Sequence, residues 1–251
     1  MTSRNRIATH DQSKYPSLWH GCVGAWSPCL GPTGGTIPDR SGRSFTAATI
    51  GTGNEISIKS GNWAASVNGS GIYGTGTIAH GIGTGDFTIA MWVNPTTVTS
   101  AYKGCFAVGF FAPSIYTTLP GSTWGMYWVA DRSSGHTLVA GVFSHICVRR
   151  VSGVLQFFTN GIRSATTHAV ALSMSAAGIG LGGERSGAAT NAFTGSFDDA
   201  RFYTHAISDN EIKLLASRRG IAYELAPRRR SSVQVSAAFN RRRRLLIGAS
   251  S

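Results

Sequence analysis

Acid–base chemistry has little to work with in this chain, which carries 11 Asp and Glu among 251 residues. Glycoside cleavage by paired carboxylates needs the two held about 5 to 9 Å apart. The nearest pairings are Asp198 with Asp199 and Asp209 with Glu211. Adjacent strand residues point to opposite faces, so Asp198 and Asp199 are expected to diverge. Asp209 and Glu211 fit a helix start, where carboxylates meet the positive end of the helix dipole. The seven histidines (His10, His20, His80, His136, His145, His168 and His205) show neither His-x-His nor His-Glu-x-x-His spacing, so no metal site is expected from them. Gly178 to Gly183 has the glycine density of a phosphate loop, but such a loop must open a helix. The residues after it, Glu184 to Ala189, lack apolar periodicity, and a glycine-rich strand running close under another sheet is the better reading. Tyr116, Trp124, Tyr127 and Trp128, with Asp131 and Arg132 as polar partners, are the candidates for stacking on sugar rings. The alternative is that these aromatics are plain sandwich core. No catalytic residue is assigned, and the chain is expected not to be an enzyme.

The four cysteines, Cys22, Cys29, Cys105 and Cys147, form no C-x-x-C pair, which argues against zinc. Cys105 and Cys147 sit in apolar runs and are expected as small buried hydrophobes; Cys22 and Cys29 could bridge across a loop. The basic N-terminus is followed by no apolar stretch of the kind a secretory signal needs. No apolar run reaches the length of a membrane span. The net charge of +12 is unevenly placed. From Arg218 to Ser251 there are nine Arg and one Glu, whereas the preceding 217 residues carry 14 basic and 10 acidic side chains.

The elements that must position these residues are short strands. Glycine is abundant at 32 residues and charged residues are few at 14%, which suits many strands joined by tight turns. Phe87 to Val93 alternates, with Phe87, Ile89, Met91 and Val93 on one face and Thr88, Ala90 and Trp92 on the other. Further strands are expected at Trp19–Trp26, 45–50, 55–59, 71–73, 105–111, 124–129, 138–143, 145–151, 154–159, from Ile162, 179–183 and 196–203. Asn160-Gly161 is the strongest hairpin signal, since both residues tolerate positive φ. Ser208-Asp209-Asn210-Glu211 is a capping box opening a helix of about two turns, with Ile212 and Leu215 as its apolar face. A dozen or so strands and one late helix predict an all-β, two-sheet antiparallel jelly-roll sandwich. A 1–18 N-terminal arm would precede a 19–217 jelly roll, and a basic 218–251 arm would follow it.

Several of these segments together resemble the laminin-G-like branch of the concanavalin A-like jelly rolls. They are Phe87 to Val93, His145 with Val148, Arg149 and Asn160-Gly161, Phe193 to Tyr203, Ala206 to Ile212, and the Asp39-Arg40-Ser41-Gly42-Arg43 turn. The resemblance implies mostly non-catalytic domains that bind glycans or proteins, some with calcium at a sheet rim and some in phage structural proteins. Enzymes on such folds carry Glu-x-Asp motifs, which this sequence lacks. Asp198 and Asp199 match the family's Asp-Asp pair. The structural expectation is one carboxylate accepting backbone amides and the other pairing with Arg201 or Arg149; calcium is the alternative. His145 is expected as a packed, hydrogen-bonded ring. No cofactor is otherwise implied.

The tail holds Arg228, Arg229 and Arg230, then Arg241, Arg242, Arg243 and Arg244. Between them Val233, Val235 and Ala237 alternate with polar residues as in a strand, and Leu245-Leu246-Ile247 follows the second run. It could dock on other protein subunits by strand addition, contact nucleic-acid phosphates, or form a solvated basic arm. The expected function is a structural or interaction protein of a multi-subunit particle, a phage virion decoration or fibre protein at the virion surface. The alternative is an extracellular glycan-binding adhesion module.

Overall fold

The structure, a computed structural model, describes residues 13–28, 36–43, 48–50, 55–59, 62–68, 72–74, 80–100, 102–109, 113–183, 191 and 193–226. The expectations for Cys29, for Glu184 to Ala189, and for both arginine runs with the segments around them lie outside these residues.

Sixteen strands are described. In chain order they are β1 (Cys22–Trp26), β2 (Thr36–Ile37), β3 (Ala48–Ile50), β4 (Glu55–Lys59), β5 (Asn62–Asn68), β6 (Ile72–Gly74), β7 (Phe87–Pro95) and β8 (Gly104–Val108). They continue with β9 (Ser114–Tyr116), β10 (Gly125–Tyr127), β11 (Asp131–Ser133), β12 (Ser144–Val151), β13 (Val154–Thr159), β14 (Ile162–Ala169), β15 (Ile179–Leu181) and β16 (Thr194–Tyr203). One helix, α1 (Asp209–Leu215), follows. All pairings are antiparallel. The first sheet runs β14-β13-β12-β7-β16-β5-β4, with β1 added on β16; the second runs β11-β10-β9-β8-β15-β6-β3-β2.

The alternation in β7 does what its sequence requires. Phe87, Ile89, Met91 and Val93 enter the main core between the sheets, and Ala90 faces the other way. Asn160 and Gly161 both have positive φ and close the β13–β14 hairpin, as Ser152 and Gly153 close β12–β13. In the glycine-rich run, Ile179 and Leu181 of β15 enter the core, and just after the strand Gly182, with φ of 69°, approaches β5 so closely that a Cβ there would lie 2.7 Å from Val67.

A second apolar cluster covers the outer face of the first sheet. Ala90, Cys147, Phe158 and Tyr203 from the strands meet Ile212 and Leu215 of α1, together with Leu18, Trp19, Ile221 and Ala222. Burying the Ile212 and Leu215 side chains contributes about 1.5–3 kcal/mol each. Ser208 accepts from the Glu211 amide and the Glu211 carboxylate accepts from the Ser208 amide, so the expected capping box is formed. Segments on either side of residues 19–217 also meet on this face. Ser13 pairs with Leu225 in an antiparallel bridge, the Lys14 amide donates to Glu224 O at 2.7 Å, and Trp19 Nε1 donates to Ala222 O at 3.0 Å. Residues 13–18 and 218–225 meet in one clasp on the sheet.

Other expectations need correction. Residues 138–143 form a turn, with Val142 N donating to Val139 O and Gly141 at positive φ, in place of a strand. Strands β2, β5, β9 and β11 were not foreseen; β2 is two residues long and β9 and β11 three. Trp19 belongs to a 3-10 turn before β1. Cys22, Cys105 and Cys147 are free buried thiols. Burial pushes the Cys22 thiol up to about 11 and those of Cys105 and Cys147 higher still.

Candidate functional site: a tyrosine and aspartate patch on the second sheet

Register decides which of the expected site residues face solvent. Across β9, β10 and β11, Ile115 lies opposite Met126 and Met126 opposite Arg132. Ile115 and Met126 are core. The next row therefore faces outward: Tyr127 opposite Ser114 and Asp131, and Tyr116 opposite Gly125. Tyr116 is 3% exposed, and its ring stands edge-on between Tyr127 at 6.5 Å and Tyr102 at 5.7 Å. Tyr127 and Tyr102 are half-buried and Asp131 is exposed. The Tyr102 hydroxyl donates to Asp131 Oδ2 at 3.0 Å. That hydrogen bond, then local burial and the carboxylate's charge, raises the Tyr102 phenol above its ordinary range. The result is two partly open aromatic rings, a buried ring holding them apart, and a carboxylate that can accept from hydroxyl groups.

Tyr102 is the member sequence reasoning missed. It sits in the link before β8 with φ of 59°, uncommon for a residue with a side chain. Its amide donates to Thr118 O at 2.7 Å, which holds that conformation. It lies 29 positions from Asp131 in a stretch of no recognisable pattern. Val129, at the β10–β11 turn, also has positive φ, at 67°, so the loops on both sides of the patch hold uncommon backbone.

Trp124 and Trp128 lie in the core, away from the exposed face where sugar-stacking rings were expected. They flank β10 with the parity of Met126, so they turn inward. Trp124 is fully buried, donates through Nε1 to Thr159 Oγ1 at 2.9 Å across the sandwich, and packs edge-on to Phe157. Trp128 lies against Phe87, with the Arg150 guanidinium 5.0 Å from its ring. Arg132 shares the Met126 parity; it is half-buried and its Nε has no hydrogen-bond partner, so it does not join the tyrosine patch.

The Asp198-Asp199 pair departs from simple alternation. A bulge interrupts the β7–β16 register between Asp198 and Arg201, and Asp199 takes φ of 45°. Both carboxylates are consequently buried toward the clasp instead of diverging. Asp199 Oδ1 accepts from Ser27 Oγ at 3.0 Å and Arg201 Nε at 2.8 Å, while Asp198 Oδ1 accepts from the Asp199 amide at 2.7 Å. The expected division of labour, one carboxylate on a backbone amide and the other on Arg201, is what forms. Burial, the largest single influence, would by itself lower the Arg201 pKa; the Asp199 carboxylate, together with Tyr223, Tyr203 and Cys22, reverses this and raises it well above its ordinary value, so the guanidinium stays charged. Arg201 also lies 4.5 Å from the Trp19 ring and 5.0 Å from that of Tyr223. The pair does not fit calcium, because a fully buried guanidinium already neutralises the carboxylate a cation would need. Asp39 does not fit either: Oδ1 accepts the Ala25 and Ser41 amides and Oδ2 the Ser41 hydroxyl. Among the described residues no three His, Cys, Asp or Glu side chains gather as a metal set.

Arginines 149 and 150 are likewise structural. Arg149 donates to Gln156 Oε1 and Ile207 O and pairs with Asp209 at 2.7 Å. Arg150 is fully buried and donates to the carbonyls of Gly83, Gly85 and Leu172. His145 packs edge-on to Trp92 in the first sheet, but its Nδ1 has no hydrogen-bond partner, contrary to the hydrogen-bonded ring expected.

Two antiparallel sheets closed on one core, with a late capped helix on the outer face of one, define a lectin-like jelly roll. The chain belongs to the concanavalin A-like lectin/glucanases superfamily, whose family model matches residues 68–213. No curated protein sequence matches it. Among solved structures it is similar to domain 4 of AbnA, a GH43 extracellular arabinanase from Geobacillus stearothermophilus, in complex with arabinotriose. That match has a TM-score of 0.61 and 17% identity, over 78% of this chain and 98% of the other. It is also similar to Trypanosoma rangeli sialidase, with a TM-score of 0.60 and 15% identity over 78% of this chain. The match spans 32% of the sialidase, about a third of that protein. The binding domain of Paraclostridial Mosquitocidal Protein 1 matches with a TM-score of 0.58 and 17% identity, over 79% of this chain and 52% of the other. At these identities the likeness is one of fold. No helix among the described residues is long and apolar enough to cross a membrane.

Proposed function

We propose that this chain is a non-catalytic glycan-binding module that uses the outer face of its second sheet. The observation that carries the reading is the Tyr102–Tyr116–Tyr127 row with Asp131 at its edge. Aromatic faces stack on the apolar face of a sugar ring, and a carboxylate accepts hydrogen bonds from sugar hydroxyls. Support also comes from the kind of fold: the family's description joins lectins with glucanases, and one similar structure holds arabinotriose. The buried Asp198-Asp199 pair, already engaged by Arg201 and Ser27, favours binding over hydrolysis.

A glycan panel that includes arabinan oligomers and sialosides, read by calorimetry, tests this. Tyr127→Ala and Asp131→Ala should each weaken the best ligand, Tyr127→Ala by about thirtyfold if that ring is a dominant contact worth about 2 kcal/mol. Unchanged affinity in Tyr127→Ala, or no ligand in the panel, would remove the reading.

A second reading is favoured by the charge distribution: the module is a virion decoration or fibre protein anchored by its arginine-rich C-terminal segment to other subunits of a particle. Nine Arg and one Glu follow Ser217, and the clasp joining Ser13 to Leu225 lies on the outer face of the first sheet, opposite the tyrosine patch. A module held from one face would present the other. Light scattering of the full chain and of residues 1–226, at low and high salt, should show assembly in the full chain alone; identical masses at every salt would count against self-assembly through that segment.

A further inference from the structure

Outside the tyrosine patch, one pair of metal-ligating side chains is set face to face near the surface. β1 and β16 pair with Cys22 opposite Tyr203. Thr204 N continues that ladder, donating to Gly21 O at 3.0 Å. One step further the same register sets His20 opposite His205. Directly opposed residues of an antiparallel pair have Cβ atoms about 4.5–5.5 Å apart, and the two imidazole centroids are 5.3 Å apart. His20 is exposed and His205 half-buried. Neither ring nitrogen of either residue takes part in a hydrogen bond described above.

We propose that His20 and His205 form a two-imidazole site for a late first-row divalent cation such as Zn²⁺ or Ni²⁺. The distance fits the chemistry. A metal–nitrogen bond of about 2.0–2.1 Å places the ion roughly 3.1 Å from each ring centroid, and a tetrahedral angle then separates the centroids by about 5 Å. The backbone at Gly21 decides which nitrogen is used. The Nδ1–Cε1 edge of His205 rests on Gly21 so closely that a Cβ there would collide with it, which leaves Nε2 to the metal. Gly21 has φ of 61°, a conformation suited to a residue without a side chain. The donors also suit the ion, since neutral imidazole is the common ligand of Zn²⁺, Cu²⁺ and Ni²⁺. Burial and the neighbouring His20 charge hold the His205 imidazole below its ordinary range, with Glu211 acting in the opposite direction and the Tyr203 ring packed 6.0 Å away. No third His, Cys, Asp or Glu among the described residues joins the two rings. Water or a donor from another molecule completes the coordination, and the site exchanges its ion readily. A bound ion would tie the lead-in to β1 to the segment between β16 and α1, on the border of the clasp.

The test uses the full chain at pH 7.5, titrated with ZnCl₂ and separately with NiCl₂, read by calorimetry and by thermal unfolding. The expected result is saturable binding of one ion per chain with a rise in Tm. Both should be lost in His20→Ala and in His205→Gln, and both should be lost in the wild-type chain at pH 5.5, where protons compete for the imidazoles. His20 is solvent-exposed, so its variant keeps the test sound even if His205→Gln disturbs folding. No metal-dependent change in the wild type, or the same change in His20→Ala, overturns the site.

Discussion

Lowering the pH from 7 to 5 should destabilise this fold through His145. The ring is 2% exposed near the start of β12, edge-on to Trp92, and its Nδ1 has no partner. Burial, set against the attraction of Asp199 and reinforced by the charge of Arg201, lowers its pKa from 6.5 to about 4. The folded state therefore refuses a proton that the unfolded chain accepts. Stability from the neutral ring is complete above 6.5 and is lost as the pH falls through the window from 6.5 to 4. With those two values the loss between pH 7 and pH 5 is about 2 kcal/mol, approaching ~3 kcal/mol below pH 4. Urea unfolding of the wild type and of His145→Leu at pH 7, 6 and 5 isolates this contribution. His80 and His205 are also held below their usual range, by burial first, and shift both proteins alike. The wild-type curve should fall more steeply, so that the difference between the two proteins changes by about 2 kcal/mol from pH 7 to pH 5. Parallel curves would refute the reasoning, because they would mean the ring takes up its proton in the folded state without cost.

Asp199→Asn keeps the shape of the bulge and removes only the charge facing Arg201, so equilibrium denaturation should show a loss of about 3–5 kcal/mol, the cost of leaving a buried guanidinium uncompensated; a loss below 1 kcal/mol would mean that the Trp19 and Tyr223 rings hold the cation on their own. Ser208→Ala removes the cap on the Glu211 amide and should cost about 1 kcal/mol in the same assay, with no change in the affinity of any ligand held at the tyrosine patch.

What could be read from the sequence was what local chemistry determines. The strand over Phe87 to Val93, the Asn160-Gly161 turn, the capping box at Ser208 and the Asp39-Ser41-Gly42 turn each depend on residues within a few positions of one another, and each formed as expected. The site was harder because it depends on parity and on pairing between distant strands. The period-2 rule applied to Trp124, Met126 and Trp128 would have sent both tryptophans inward and left Tyr127 outside, but a strand of only three residues gives that rule little to hold. Tyr102 reaches Asp131 only through the β8–β9–β10–β11 pairing and an uncommon backbone angle, neither of which has a sequence pattern. The bulge at Asp199 also escaped notice, since an inserted residue is invisible until the partner strand is known. Arg150 and Arg201, fully buried on carbonyls and a carboxylate, contradict the ordinary preference of arginine for the surface.

The Ser13–Leu225 bridge also fixes how this protein would carry load. Its two strands of chain run antiparallel, so Ser13 and Leu225 lie side by side at its end. If both are held by the same support, tension between that support and the rest of the domain enters at a single point, and the sheets bear none of it lengthwise. If the two are drawn apart, the clasp opens one bond at a time, beginning at Ser13 and Leu225 and passing next to the Lys14–Glu224 contact. Such peeling yields at low force, whereas the long β7–β16 and β7–β12 ladders behind it remain joined. Pulled apart in this way, the clasp would take the load ahead of those ladders, as a mechanical fuse does.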